Sequence, residues 1–354
     1  MFALLPFICA TIFGQTASDK SSAADALFRD FDRADAPGAS FLVVRRGRVV
    51  YEGAFGMANL EEKTPATTAT NFRLASVTKQ FTAMSVLMLV ERKRLTLDTK
   101  LTEVFPDFPA YGSKITIRHL LTHTSGLADY EDLIPESATV PLRDKQVLEL
   151  LKTQTDTTFA PGSRFSYSNS GYAVLALVVE KVSGVSFATF LRENIFKPLG
   201  MANTVAFENG VSTVNNRAYG YTPDGHGGFR RHDQSLTSSV LGDGGVYSSV
   251  EDLRKWDAAL YTEKLVRPAT LAQAFTAQVP NSDQGAAAYG FGWYVETYRG
   301  RRAVWHYGST VGFRTAIVRF PDERSAVVVL LNRDGTDAHA LALKLADLFL
   351  FDAK

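Results

Sequence analysis

Helical and strand-like segments occur together at both ends of this 354-residue chain, and this arrangement constrains its fold more than any other feature. Near each terminus, apolar residues recur at helical spacing beside β-branched runs that are separated by glycine-containing turns. The segments are residues 21–33 (helix), 40–44 and 49–55 (hairpin), 303–306, 315–320 and 325–331 (strands) and 337–351 (helix). We therefore predict one antiparallel sheet that is built from the two chain ends and flanked by the N- and C-terminal helices.

The middle of the chain is predicted to be mostly helical. Its apolar residues recur at helical spacing in residues 77–91, 117–121, 145–153, 172–182, 187–195 and 250–261. Residues 203–245 are rich in Gly, Asn and Ser, which favours a surface loop over a site. The fold class is thus α/β (α+β), with a sheet subdomain at residues 20–70 and 287–354 and a mostly helical subdomain at residues 71–286.

Charge and cysteine content exclude several classes of protein. The 38 Lys and Arg residues are balanced by 37 Asp and Glu residues, and a net charge of +1 leaves no basic surface for a phosphate backbone. We therefore expect no nucleic-acid partner. The single cysteine, Cys9, excludes an internal disulfide framework. It also lies in a segment that we expect to be removed, which excludes a cysteine nucleophile.

The N-terminal residues are predicted to be a signal peptide, residues 1–17. Residues 2–13 are largely apolar, but they are fewer than the roughly 20 that a membrane helix needs, and small polar residues follow them. We expect the protein to be periplasmic or secreted. We predict no stable membrane span.

Ser76 and Lys79 are the first candidates for catalysis. They lie three residues apart where an apolar helix begins, so both are predicted on one helical face, with Ser76 in the first turn. The helix dipole and the backbone N–H groups at that end stabilise negative charge on an attached acyl group. A desolvated lysine amine loses its proton near neutral pH and can activate a serine. Taken alone, Ser76 is also compatible with a helix cap.

Two later segments of the chain carry further polar groups that are candidates for catalysis and substrate binding. The phenol of Tyr167, if it lies near a lysine ammonium, is expected to be partly ionised and to transfer protons, while the Asn169 amide can bind both that lysine and a substrate carbonyl. His306, Gly308 and Ser309 lie on a predicted strand, where Gly308 would let a substrate backbone approach the strand edge. Taken alone, the Tyr167 segment is also typical of a polar turn.

These three elements together resemble the serine β-lactamase and penicillin-binding protein family. The S-x-x-K, Y-x-N and K-T-G motifs of that family match the segments that begin at Ser76, Tyr167 and His306. The resemblance covers nearly all of residues 18–354, and residues 120–127 and 244–249 resemble the branch of class C β-lactamases, D-peptidases and esterases. It implies a β-lactamase/transpeptidase-like fold and a serine hydrolase that acts on esters, D-amino-acid peptides or amides, or β-lactams.

The resemblance also implies a role for each residue. The catalytic residues would be Ser76 (acylated), Lys79 and Tyr167; the substrate-binding residues would be Asn169, His306, Gly308 and Ser309; the backbone N–H groups of Ser76 and Ser309 would form the oxyanion hole. The expected partner is a small-molecule or peptide acyl substrate. No cofactor and no metal are expected, because His119 and His123 have the spacing of metal ligands but no obvious third ligand.

The histidine at the third motif affects which substrate class is expected. A lysine there would be charged near neutral pH, whereas His306 has a reference pKa of about 6.5, so its help in binding a substrate carboxylate would depend on pH. This favours a peptidase or an esterase over a potent β-lactamase, and Arg314 is a further candidate for a carboxylate. The alternative is a non-catalytic penicillin-binding sensor or scaffold that retains the fold.

Overall fold

A computed structural model describes residues 17–280, 285 and 287–351. The predicted signal peptide therefore lies outside the described residues except for Ala17. The strands in chain order are β1 (Ala39–Arg45), β2 (Arg48–Phe55), β3 (Met57–Asn59), β4 (Thr64–Pro65), β5 (Phe72–Arg73), β6 (Val205–Ala206), β7 (Tyr221–Pro223), β8 (Phe229–Arg231), β9 (Val246–Ser248), β10 (Val279–Pro280), β11 (Ala288–Tyr289), β12 (Tyr294–Tyr298), β13 (Arg301–Thr310), β14 (Phe313–Phe320) and β15 (Ser325–Leu331).

The main sheet is built from the two ends of the chain, as predicted. Its strand order in the described residues is β10-β11-β12-β13-β14-β15-β1-β2, and every neighbouring pair is antiparallel. The pair of β15 and β1 joins the two ends of the chain, with Ala39 of β1 opposite Leu331 of β15. β10, β11 and β12 were not predicted, since two of them are only two residues long. The sheet therefore includes Val279–Pro280, ahead of residue 287, the predicted start of its second part.

Both faces of the sheet are covered, which explains its continuous apolar strands. In β15, Val328 and Leu330 point into the core shared with the helical region, while Val327 and Val329 point into a second core beneath the terminal helices. Alternate residues of a strand point to opposite faces, so a strand buried on both sides is apolar at every position. The sheet thus separates two cores, and the helical region lies on one side of it.

The helices are α1 (Ala17–Leu27), α2 (Lys79–Glu91), α3 (Leu101–Val104), α4 (Ile117–Leu121), α5 (Asp144–Lys152), α6 (Asn169–Ser183), α7 (Phe187–Leu191), α8 (Lys197–Leu199), α9 (Leu241–Gly244), α10 (Val250–Ala259), α11 (Pro268–Ala274) and α12 (Ala338–Phe349). All of the predicted helices are present. The first ends earlier than predicted, because after Leu27 the N–H of Phe31 bonds to the carbonyl of Phe28 in a turn instead of continuing the helix.

The region predicted as a surface loop, residues 203–245, is less irregular than expected. It contains β6, the hairpin β7–β8 and the short helix α9. A glycine is required at Gly242, because a β-carbon there would overlap the carbonyl oxygen of Tyr172 in α6. This close approach of α9 to α6 brings the loop's end to the site described next.

No single helix among the described residues is long and apolar enough to cross a bilayer. The pair Asn169–Ser183 and Phe187–Leu199 reaches the required length and composition only when taken together, and it is bent by 76°.

Candidate active site

Ser76 lies on a tight turn that leads into the buried helix α2. Residues Ala75–Thr78 form a 3₁₀ turn that runs directly into α2, so Ser76 precedes the α-helix and does not occupy its first turn as predicted. Ala75 has a φ of 49°, in the left-handed region, which costs a residue with a β-carbon on the order of 1–3 kcal/mol. The turn leaves Ser76 partly exposed between buried neighbours.

Lys79 connects three parts of the chain. It is the first residue of α2, and it is 0% exposed. Its Nζ lies 3.1 Å from Ser76 Oγ, 2.8 Å from Asn169 Oδ1 and 3.0 Å from the carbonyl oxygen of Asp243. The structure therefore brings Ser76, Lys79 and Asn169 into one hydrogen-bonded group.

The partners of Lys79 determine where its lone pair points when the amine is neutral. The Asn169 Nδ2 donates to Glu131 at 3.1 Å, so Asn169 Oδ1 faces Lys79 and accepts. The carbonyl oxygen of Asp243 also accepts only. A neutral amine has two hydrogens, and these two acceptors use both. The remaining lone pair then faces Ser76 Oγ and can accept the serine proton.

The surroundings of Lys79 adjust how readily it becomes neutral. Burial lowers the pKa of Lys79 below its usual value, while the nearby carboxyl groups of Asp243 and Glu131 act in the opposite direction. Burial also raises the pKa of Asp243, whose Oδ2 accepts a 3.0 Å hydrogen bond from the Tyr130 hydroxyl. Lys79 is therefore an amine whose proton is easier to remove than that of an exposed lysine.

The phenol of Tyr167 faces the same group. Lys79 Nζ lies 4.9 Å from the centre of the Tyr167 ring, and the side chains of Ser76 and Tyr167 interact. Burial raises the pKa of Tyr167 well above its usual value, and the contact with Ser76 opposes this rise only in part. The predicted partial ionisation of Tyr167 is therefore wrong. A neutral phenol can still donate its proton.

Both ring nitrogens of His306 are engaged inside the protein. Nδ1 lies 2.7 Å from the carbonyl oxygen of Tyr307, and Nε2 lies 3.1 Å from the Tyr289 hydroxyl. Because a carbonyl oxygen only accepts, Nδ1 carries the proton and Nε2 accepts from Tyr289. His306 is 1% exposed, and burial, reinforced by the charge of Lys79, lowers its pKa to about 3. The prediction that it binds a substrate carboxylate in a pH-dependent way is wrong, since neither a charge nor a free nitrogen is available.

The burial of His306 predicts that the fold loses stability in acid. It also predicts that the titration of His306 does not appear in the rate–pH profile. His306 takes up a proton near pH 6.5 in the unfolded chain but only near pH 3 in the folded one, so stability falls as the pH drops below about 6.5. One such group contributes at most about 1.4 kcal/mol per pH unit. Urea unfolding at several pH values should show a shallower decline for His306→Gln than for the wild type. Equal slopes, or a limb in the rate–pH profile near pH 6.5 that His306→Gln removes, would contradict a neutral His306.

Gly308 allows close packing between β13 and the turn that carries Ser76. A β-carbon on Gly308 would overlap the carbonyl oxygen of Leu74 and the hydroxyl of Thr315. The glycine therefore lets β13 lie against the turn that carries Ser76. The protein itself fills the space that a side chain at this position would need, while the approach of a substrate backbone to the edge of β13 stays a prediction.

Ser309 differs from its neighbours on β13 because it is exposed. It lies opposite Arg314 of β14, and both line a surface cavity of about 480 Å³ that reaches the start of α12. Arg314 donates to the carbonyl oxygens of Val311 and Phe313 at 3.0 and 2.7 Å and is half-buried. Among residues 306–309, Ser309 is thus the most exposed.

The two histidines with metal-ligand spacing have separate structural surroundings. His119 Nδ1 accepts from the N–H of Thr116 at 3.3 Å, at the start of α4. His123 Nδ1 accepts from the N–H of Ser168 at 3.0 Å. Among the residues that the structure describes, no group of three His, Cys, Asp or Glu side chains could hold a metal ion.

Comparison with known proteins assigns the family. Residues 24–350 match the sequence model of the family described as Beta-lactamase. The chain belongs to the beta-lactamase family. Penicillin-binding protein 4* of Bacillus subtilis (strain 168) is 34% identical over 325 residues, which cover 88% of this chain and 71% of that protein. The D-aminopeptidase of Brucella canis is 31% identical over 325 residues, 89% of this chain. The chain spans only 60% of that relative.

Solved structures confirm the predicted fold of this beta-lactamase family member. The octameric penicillin-binding protein homologue from Pyrococcus abyssi superimposes with a TM-score of 0.82 at 28% identity, over 95% of this chain and 78% of that one. The chain therefore has the β-lactamase/transpeptidase-like fold and is a serine hydrolase of this family.

Sequence reasoning missed two acidic residues at the site of this family member. Asp243 provides the carbonyl oxygen for Lys79, and Glu131 holds the Asn169 amide. Asp243 follows Gly242, and this glycine was a usable signal because it marks a close backbone approach. Glu131 follows the predicted helix at residues 117–121 in a stretch without periodicity, and no pattern indicated it.

Proposed function

We propose that this protein hydrolyses D-amino-acid amides and peptides through an acyl ester on Ser76, with simple esters and β-lactams as poorer substrates. The observation that carries the proposal is the position of Lys79, fully buried and 3.1 Å from Ser76 Oγ, with both of its amine hydrogens used by other acceptors. A neutral amine held in this way is a general base for the serine.

The proposed acylation moves one proton from the serine to the leaving group. Ser76 Oγ attacks the substrate carbonyl carbon while its proton passes to Lys79 Nζ. The oxyanion is bound by the backbone N–H groups of Ser76 and Ser309. The bond to the leaving amine then breaks as that nitrogen takes a proton from Tyr167, and the Lys79 ammonium returns a proton to Tyr167. The products are the Ser76 ester and a neutral amine.

Deacylation repeats these steps with water. Lys79, neutral again, accepts a proton from a water molecule as the water oxygen attacks the ester carbonyl. Ser76 leaves as its hydroxyl, protonated through Tyr167 or Lys79. Lys79 supports this role better than Tyr167, because burial holds the pKa of Tyr167 well above its usual value and keeps the phenol neutral.

Two observations support D-amino-acid amides over β-lactams. The chain is similar to a protein named as a D-aminopeptidase. In addition, His306 is neutral and enclosed, so the third motif offers no cation to a β-lactam carboxylate. We also propose that residues 1–17 direct the protein to the periplasm or out of the cell.

The proposal is tested by mass spectrometry of the intact protein with three probes: D-alanine p-nitroanilide, p-nitrophenyl acetate and a fluorescent penicillin. Trypsin cuts after Arg73 and Lys79, so an adduct on Ser76 appears in the six-residue peptide 74–79. Released p-nitroaniline from the D isomer, and little from the L isomer, supports the proposal. A stable penicillin adduct without turnover of any probe would instead identify a sensor. No adduct and no turnover would refute acylation of Ser76.

A further inference from the structure

His123 lies outside the three motifs, yet it contacts the whole segment that carries Tyr167. Its carbonyl oxygen accepts from the N–H of Ser166 at 2.8 Å, and its Nδ1 accepts from the N–H of Ser168 at 3.0 Å. Its ring stacks on the ring of Tyr167, with centroids 4.3 Å apart and planes at 29°. One residue therefore holds the residue before Tyr167, the residue after it and the phenol ring itself.

The contacts of His123 also fix the start of α6. Ser168 is the N-cap of that helix, and its side chain accepts from the N–H of Gly171. The next residue is Asn169, which binds Lys79. The bond from Ser168 to His123 thus fixes both Tyr167 and the helix end that presents Asn169.

Both the backbone conformation and the ring environment of His123 are energetically unfavourable. Its φ of 57° lies in the left-handed region, which is unfavourable for a residue with a β-carbon. Because Nδ1 accepts, the ring proton is on Nε2, and the buried Nε2 has no hydrogen-bond partner among the residues that the structure describes. A buried unpaired donor destabilises a protein by about 1–3 kcal/mol. A phenylalanine would fill the same aromatic cluster without this cost, so packing alone does not explain an imidazole.

We propose that His123 is a positioning residue that holds the Tyr167 hydroxyl in line with Ser76 and Lys79. The inference rests on the proposed function, in which the Tyr167 hydroxyl protonates the leaving amine. His123 acts through two separable contacts: the acceptor Nδ1 and the stacked ring. Misplacement of a catalytic group by about 1 Å costs roughly 100-fold in rate. Loss of either contact should therefore lower amide turnover about 10- to 100-fold.

Two substitutions separate the contacts. His123→Asn keeps an acceptor near the position of Nδ1 and tolerates the left-handed backbone, but it lacks the stacked ring. His123→Phe keeps the ring and lacks the acceptor. The matched control is His119→Asn, because His119 Nδ1 likewise accepts a backbone N–H at a helix start but does not contact Tyr167. We expect His119→Asn to leave kcat for D-alanine p-nitroanilide within about twofold of wild type, and both His123 variants to lower kcat with little change in KM.

A double-mutant cycle distinguishes positioning from general destabilisation. Tyr167→Phe retains the ring that stacks on His123 and removes only the hydroxyl. If His123 acts through that hydroxyl, His123→Asn should lower kcat by about 10- to 100-fold in the wild-type background and by less than about threefold in the Tyr167→Phe background. Equal losses in both backgrounds would overturn the inference.

A measurement on the wild-type protein covers the case in which the variants do not fold. The chain has 6 histidines, so the imidazole ¹⁵N signals of His123 can be assigned by NMR. A neutral ring with its proton on Nε2 supports the hold on Ser168, and a proton on Nδ1 overturns it. Absence of the Ser76 adduct in the wild type would refute the proposed function. A Ser76 adduct together with equal losses of kcat in the wild-type and Tyr167→Phe backgrounds would refute the role of His123 and leave the proposed function intact.

Discussion

Replacing Lys79 with alanine should lower the rate of Ser76 acylation by about 100- to 10,000-fold, the usual contribution of a general base. The reason is geometric: the lone pair of the neutral amine faces Ser76 Oγ because Asn169 Oδ1 and the Asp243 carbonyl use its two hydrogens. Stopped-flow release of p-nitrophenolate from p-nitrophenyl acetate measures this rate, and Ser76→Ala gives the background.

Lys79→Arg is the matched variant because it retains the positive charge but cannot lose its proton near neutral pH. We expect it to be as slow as Lys79→Ala. The wild-type rate should rise with pH through a single limb that lies below the usual lysine value of about 10.4, since burial lowers the pKa of Lys79. Thermal unfolding confirms that the variants fold. An active Lys79→Arg protein would show that the charge of Lys79 matters and its lone pair does not.

The parts of this structure that were predictable from the sequence depend on local pattern. The strands at residues 315–320 and 325–331 are buried at every position and mostly apolar because both faces of the sheet are covered, and such runs are visible without knowing what covers them. The order of the motifs was likewise enough to place Ser76, Lys79 and Asn169 at one site, since the resemblance supplied the contacts between them.

The errors at the site share one physical cause. The charge states of Tyr167 and His306 depend on how deeply each side chain is buried, and burial arises from residues far away in the chain. His306 is neutral because burial, reinforced by the charge of Lys79, lowers its pKa, and the spacing H-x-G does not reveal that burial. The close packing at Gly308 was not predictable either, because the turn at Leu74 that it contacts lies 234 residues earlier in the chain.

The acidic surroundings of Lys79 were also beyond local pattern. Asp243 contributes its backbone carbonyl to Lys79 and its carboxyl to Tyr130. The short helix α9 that presents it is anchored by Asp144, whose carboxylate accepts from the N–H groups of Leu241 and Gly242, both at 2.9 Å. No periodicity links residue 144 to residues 241 and 242. The general base is therefore positioned by contacts that only the tertiary fold creates.

Tyr167→Phe should affect amides and activated esters very differently. Burial keeps the Tyr167 phenol neutral, so its contribution is to give a proton to the leaving group and not to act as a base. An amine must be protonated to leave, and loss of the donor should lower kcat for D-alanine p-nitroanilide by about 100- to 10,000-fold. p-Nitrophenolate leaves without a proton, so acylation by p-nitrophenyl acetate should fall by less than about tenfold.

Tyr172→Phe is the matched control for this comparison. Tyr172 is a buried tyrosine whose ring also lies near Lys79, with Nζ 5.5 Å from its centre, but its hydroxyl donates to the carbonyl oxygen of Leu121 at 2.9 Å. Its loss should lower stability by about 1–3 kcal/mol, through the unpaired carbonyl, and leave the ratio of amide to ester rates unchanged. Equal losses on both substrates in Tyr167→Phe would assign leaving-group protonation to Lys79. Because the ratio cancels effects on folding and on the amount of active protein, it isolates the step in which the Tyr167 proton is used.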